Sequence, residues 1–98
     1  MKPERIGTRM EEIPNWTLET NDQAIVRNYH FPGFDQAISF VYDVVEVSQK
    51  ASHYPSIDIR FNQVKLRLTT PAADGLTDTD FDLAVMFDHL AEAILALE

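Results

Sequence analysis

The chain contains no cysteine. That excludes a disulfide framework, a thiol nucleophile and a thiolate zinc site, and it fits a reducing cytoplasm. Glycine is scarce: Gly7, Gly33 and Gly75 are the three in 98 residues, so no glycine-rich phosphate loop can be assembled. Basic residues are outnumbered, 8 against 16 acidic, and the formal net charge is −8. A chain of that sign lacks the basic patches that displace counterions from nucleic acid or seek anionic lipid. No nucleic acid and no membrane is expected as a partner. A protein with a basic surface, or a small uncharged ligand, stays open. No apolar run approaches the ~20 residues of a membrane span. Residues 1–7 carry no apolar secretory segment. The histidines, His30, His53 and His89, are too dispersed for metal-ligand spacing, so no metal is expected. No serine lies in a nucleophile-elbow pattern.

What is present reads as one domain with a real core, since hydrophobic residues make up 45% of the chain. Residues 1–15 are charged and carry Pro3 and Pro14. They read as a flexible N-terminal arm with one helical turn around residues 9–13, leaving 16–98 as the domain. Residues 16–20 alternate apolar and polar, residues 21–23 form a turn, and 24–31 are rich in β-branched and aromatic side chains. Together they predict a β-hairpin, which Pro32-Gly33 ends. Residues 34–52 predict a helix. Phe34, Ile38, Val41, Val45 and Ser48 make one line, and Phe40, Val44, Val47 and Ala51 a second beside it. The apolar arc spans roughly 200°, wider than the ~100° of one buried face. A second subunit is expected on the surplus face, with Phe40, Val44, Val47 and Ala51 as the oligomer contact.

Ile57, Ile59 and Phe61, then Val64, Leu66 and Leu68, alternate with polar residues on either side of an Asn62-Gln63 turn. They predict a second hairpin with one wet face. Residues 71–75 read as a loop. Thr77 reads as the N-cap of a last helix, with Asp80 as its capping-box partner and Asp78 and Asp82 favoured by the helix dipole. The expected fold class is α+β: a four-stranded antiparallel sheet with helices packed on one face, in a ββαββα core.

Residues that bear chemistry are few. His53 sits at a helix-to-strand junction, where the helix C-terminus favours a cation. It reads either as an acid or base, or as a plain end-cap. His30 reads as a strand-surface residue, His89 as a residue on the polar side of the last helix, and Trp16 as a core or subunit-contact anchor. The Asp78/Asp80/Asp82 group reads as helix-start capping, because a spacing of two does not converge on a helix.

Jointly, several segments resemble the pterin-4a-carbinolamine dehydratase family. They are the strand from Ile25 to Phe31, residues 34–47, His53-Tyr54-Pro55, residues 61–64 and 66–70, Gly75-Leu76-Thr77, and residues 80–84. The resemblance implies the fold derived above, with homodimers that extend the sheet and homotetramers that pack the long helix. Active members dehydrate a 4a-hydroxytetrahydropterin with histidine acids and bases, and need no cofactor. Their pattern would place a pterin pocket at Gln49, His53, Tyr54, Pro55, Phe61, Pro71 and Asp80. Two expected histidines are replaced, by Tyr54 and by Pro71, and Gln49 stands at an acidic position. A phenol near pKa 10 is a poorer proton donor than imidazole, and proline has no titratable group. The resemblance therefore implies a non-catalytic protein-binding or assembly module with His53 as a remnant. One such branch assists Rubisco assembly in carboxysome-forming bacteria, which would associate the chain with a bacterial microcompartment; another use of the scaffold is as a dimerisation cofactor of a transcription factor. The alternatives are a dehydratase using His53 as acid and base, and pterin binding without turnover.

Overall fold

The computed structural model describes residues 1–97; Glu98, the last residue of the expected domain, lies outside the described residues. The elements run α1 (Pro3–Met10), β1 (Thr17–Leu18), β2 (Ile25–His30), α2 (Phe34–Ala51), β3 (Ser56–Arg60), β4 (Gln63–Leu68), a 3-10 turn (Pro71–Ala73) and α3 (Asp78–Leu95). The strands form one antiparallel sheet in the order β1-β2-β4-β3. The fold is α+β, with the helices on one face of that sheet, as the residue patterns predict.

Register explains where the core sits. Ile25, Arg27 and Tyr29 of β2 stand opposite Leu68, Leu66 and Val64 of β4. Alternation puts this row on the helix side, where all but Arg27 are buried. Asn28, His30 and Lys65 point to the open side and are exposed. Onto the inward row α2 lays Ala37, Phe40, Val44 and Ser48, and α3 lays Phe81, Leu83, Ala84, Phe87 and Ala91. Phe40 packs its ring 4.6 Å from Tyr29 and 5.1 Å from Phe31. Phe40, Phe81 and Phe87 are wholly buried, and truncating any one to alanine should cost about 3–5 kcal/mol.

Three expectations need correction. The segment read as an arm is folded onto the domain. Pro3 opens α1 at a position where its missing N–H costs nothing. Ile6, Met10 and Ile13 lie at i, i+4 and i+7, and Ile6 and Ile13 are buried. The two prolines at 3 and 14 bracket this helix and its exit turn rather than prevent them. The second hairpin turns at Phe61-Asn62, one residue earlier than expected, because Arg60 pairs with Gln63. Phe61 takes the turn position at φ 54°, which a bulky residue adopts only under constraint. The constraint is Asn62: it donates its side-chain amide to the Phe31 carbonyl at 2.9 Å, and its own carbonyl accepts the Phe31 N–H at 2.9 Å.

The faces of α2 are also exchanged. Phe40 and Val44 are completely buried inside the protomer, and Val47 is half-buried against the core, so these cannot carry the subunit contact assigned to them. Only Ala51 of that set is exposed. The outward stripe is Phe34, Ile38, Tyr42 and Val45, each 39% exposed or more. Apolar periodicity shows two lines on this helix, but it is the sheet that decides which of them is covered.

Candidate functional site

The site forms where the end of α2, the end of β4 and the start of α3 meet. Helix α2 stops because Ser52 turns left-handed, at φ 52°. The Ser52 N–H then bonds the Gln49 carbonyl and the His53 N–H bonds the Ser48 carbonyl, at 3.2 and 3.1 Å. This closes the helix and fixes the backbone of His53. The imidazole reaches back over the start of α3, where its Nε2 lies 2.6 Å from Oδ1 of Asp80.

Asp80 is fully buried. As the third residue of α3 it accepts the Thr77 N–H on Oδ2 at 2.9 Å, the reverse half of a capping box. The same oxygen accepts the Thr70 hydroxyl at 2.7 Å, and the hydroxyls of Thr70 and Thr77 are 3.0 Å apart. The helix N-terminus adds its positive dipole end. The carboxylate is thus held by donors from three segments before any ligand arrives. Asp80 already acts as an acceptor toward the Thr70 hydroxyl and the Thr77 N–H, and as an acceptor toward the ring it takes its hydrogen bond from Nε2. That leaves Nδ1 as the open nitrogen of a ring whose side chain is 17% exposed. The arrangement can donate or accept one proton at Nδ1 while the carboxylate fixes the tautomer and steadies the imidazolium.

Of the residues read as a pocket, His53 and Asp80 are in direct contact. Tyr54 and Pro55 follow His53 in the chain, and Pro71 follows Thr70. Tyr54 is 64% exposed, Pro71 is exposed at the start of the 3-10 turn, and Gln49 is exposed on the last turn of α2. Phe61 does not belong here. It lies beyond the far end of β3, about 16 Å along the strand from its start, and stacks on Phe34 with ring centroids 6.4 Å apart. Thr70 is the partner that residue patterns missed, and a threonine ending an inward-facing strand row beside a capping box was the available signal. Among the described residues no group of histidine and carboxylate side chains is arranged to hold a metal ion.

A second carboxylate, half-buried, lies two turns further along α3. Oδ1 of Asp88 accepts the Trp16 indole N–H at 2.9 Å, the Arg27 guanidinium at 2.7 Å and the Tyr29 hydroxyl. The Arg27 guanidinium also stacks over the Tyr29 ring, 4.2 Å from its centroid. Burial first, then the hydrogen bond to Asp88, pushes the Tyr29 hydroxyl far above its ordinary value of 10.0. This cluster explains the arginine on the inward row of β2, and it confirms Trp16 as a core anchor.

The family model described as pterin 4 alpha carbinolamine dehydratase matches residues 1–90. A relative from Chloroflexus aurantiacus, named "putative pterin-4-alpha-carbinolamine dehydratase", is 44% identical over 85 residues, covering 87% of this chain and 89% of that protein. One of the same name from Thermomicrobium roseum is 43% identical over 86 residues, covering 88% of this chain and 90% of that protein. A crystal structure of a transcriptional coactivator/pterin dehydratase from Brucella melitensis superposes with a TM-score of 0.89 at 22% identity, over 93% of this chain and 97% of that one. A pterin dehydratase-like protein identified as a RuBisCO assembly factor in the alpha-carboxysome superposes at 0.69 and 17% identity, over 79% and 89%. At those identities the two structures speak for the fold alone. With the family model spanning most of the chain and curated relatives above 40% identity, the chain belongs to the pterin-4-alpha-carbinolamine dehydratase family.

Proposed function

We propose that this protein dehydrates a 4a-hydroxytetrahydropterin, with His53 as its acid and base. The observation that carries this reading is the His53–Asp80 pair: a buried carboxylate, held by Thr70 and the Thr77 N–H, presents an imidazole with one open nitrogen. A histidine left over from a dismantled site needs no such support. In the reaction the N5 lone pair pushes out the 4a-hydroxyl, the C4a–O bond breaks, and an N5=C4a double bond forms as N5 loses its proton. Protonated His53 gives its proton to the departing hydroxyl, and the neutral ring can then take the N5 proton, which returns it to its starting state. Tyr54 and Pro71 supply no second imidazole, so one ring serves both transfers and turnover is slower than in a site with three. The test is stopped-flow dehydration of the 4a-hydroxypterin. The wild type should exceed the uncatalysed rate, and His53→Ala should lose about 10²–10⁴-fold, the usual worth of a positioned acid or base. A wild-type rate equal to background would sink the reading.

A second reading is favoured by a separate observation. Phe34, Ile38, Tyr42 and Val45 form an exposed apolar stripe on α2, and Ile57 and Ile59 extend apolar surface along the uncovered edge strand β3. Scattered apolar side chains need no explanation, but a continuous stripe indicates a contact surface. It supports assembly into a homodimer or homotetramer, and a binding role such as assisting Rubisco assembly. Light scattering on Ile38→Glu checks the first part: an unchanged oligomer size would remove it. Co-expression with Rubisco large subunit checks the second, since neither co-purification nor a higher soluble yield would leave that role without support. No helix among the described residues is long and apolar enough to cross a membrane.

A further inference from the structure

We infer that Arg9 is a positioning residue for the His53–Asp80 pair, acting through the first turn of α3. The inference rests on the dehydratase reading for its consequence in rate, but its geometry stands apart from it. Arg9 is the one buried cation among the described residues, with a side chain 10% exposed. Its two Nη atoms bond Asp78 at 2.9 Å and Asp82 at 2.8 Å, and its Nε lies 2.9 Å from a Glu12 carboxylate oxygen. The guanidinium also sits 5.5 Å from the centre of the Phe81 ring. A cation at a helix N-terminus is repelled by the dipole, so only the surrounding carboxylates make this placement favourable.

Helix geometry gives the placement its effect. At 100° per residue, Asp78 and Asp82 point roughly 40° apart, while Asp80 points roughly 160–200° away from them. Arg9 therefore grips one side of the first turn while Asp80 holds His53 from the other. Helix α1, anchored by Ile6 and Ile13, sets the rotation of that turn, and with it the aim of the Asp80 carboxylate. Arg5 adds an exposed contact to Asp78 at 3.0 Å. Release of the grip lets the turn rotate, and a misplacement of about 1 Å in a catalytic group can cost about 10²-fold in rate.

The experiment uses the full chain with Arg9→Gln, Arg9→Lys and Asp82→Asn, and Arg67→Gln as a control that breaks the pair to Glu19 on the other face of the sheet. The first readout is the NMR signal of the His53 Nε2 proton, which a bond to Asp80 shelters from exchange; the second is the dehydration rate. Arg9→Gln should lose the sheltered signal and lower the rate 10-fold or more at temperatures well below its unfolding. Arg9→Lys, which keeps the charge but not the fork, should recover part of both. Asp82→Asn alters a carboxylate that is 65% exposed, disturbs the core less than a change at Arg9, and should weaken the signal. Arg67→Gln should match the wild type in both. A sheltered Nε2 proton that persists unchanged in Arg9→Gln, or in Asp82→Asn should Arg9→Gln fail to fold, overturns the inference. A wild type without activity overturns the dehydratase reading alone, because the Nε2 signal reports the positioning without turnover.

Discussion

Helix α3 carries two hydrogen-bonded carboxylates eight residues apart, Asp80 fully buried and Asp88 partly so, and they do different work. Asp80 collects a threonine hydroxyl, a backbone N–H and an imidazole. Asp88 collects an indole, a guanidinium and a phenol. Both satisfy the rule that a charge taken from water must be paired and hydrogen-bonded. The difference lies in the donors. Guanidinium and indole hold their protons at every physiological pH, and the Tyr29 phenol is pushed further from ionising. The Asp88 cluster is therefore closed: it ties Trp16, just before β1, to β2 and α3 and exchanges nothing. The imidazole has a second ring nitrogen that can give or take a proton, so the Asp80 cluster stays chemically open. What such a carboxylate can do chemically follows from which donor it faces, and burial alone does not identify it.

The largest effect that would break this comparison is at Asp88. Asp88→Ala leaves Arg27, Trp16 and Tyr29 without their acceptor, and should cost about 3 kcal/mol, the low end for a broken buried pair because both partners keep some exposure. Urea unfolding measures it. The His53 Nε2 proton signal should remain in the folded fraction; its loss would mean that the two clusters are one. Tyr29→Phe is the next step down, about 1–1.5 kcal/mol for one hydrogen bond, and it has a pH signature. The folded state holds the Tyr29 proton above its ordinary value of 10.0 while the unfolded state releases it there. The unfolded chain then binds fewer protons, so stability is fully present below about pH 10 and falls as pH rises beyond it. Tyr29→Phe should flatten that alkaline fall, and a slope equal to the wild type would place the loss elsewhere.

At the acid end the direction reverses. The Arg9 hydrogen bond, and against some desolvation the Arg5 bond, hold the Asp78 carboxyl below its ordinary value of 3.8. Its contribution is present above that value and fades as pH falls through the lower folded one. Asp78→Asn should therefore lessen the acid sensitivity of α1 docking, read by proteolysis of residues 1–15. The smallest expected effect is at Ser52, where a left-handed residue other than glycine closes α2. Ser52→Gly should gain a few tenths of a kcal/mol and leave the dehydration rate unchanged, since the cap seats His53 by backbone bonds that glycine also makes.

These clusters also show what residue patterns can convey. Helix α2 was legible to within a residue of either end, because apolar spacing, Pro32-Gly33 before it and the strand alternation after it agree. The start of α3 was legible from Thr77 and Asp80 as a capping pair. That Asp80 also holds His53, 27 positions earlier, follows from no periodicity; only the family resemblance placed both in one site. The same resemblance placed Phe61 there, and the hairpin carries it to the other end of β3. The Asp88 cluster left one trace, an arginine on the inward row of a strand between Ile25 and Tyr29, which calls for a buried anion. The stripe on α2 is visible as apolar excess, but residue spacing alone puts its outward side at Phe40 and Val44, which the fold buries. Which line faces out depends on the sheet beneath, and that is a property of the assembled fold.

In the proposed dehydratase Asp80 is the carboxylate that makes His53 an acid and base, and the most direct test is the single-turnover dehydration rate of Asp80→Asn beside Asp88→Asn, each per folded molecule. Asp80→Asn should fall about 10²-fold or more while Asp88→Asn keeps the wild-type rate; equal rates in the two variants, whether both high or both low, would contradict it.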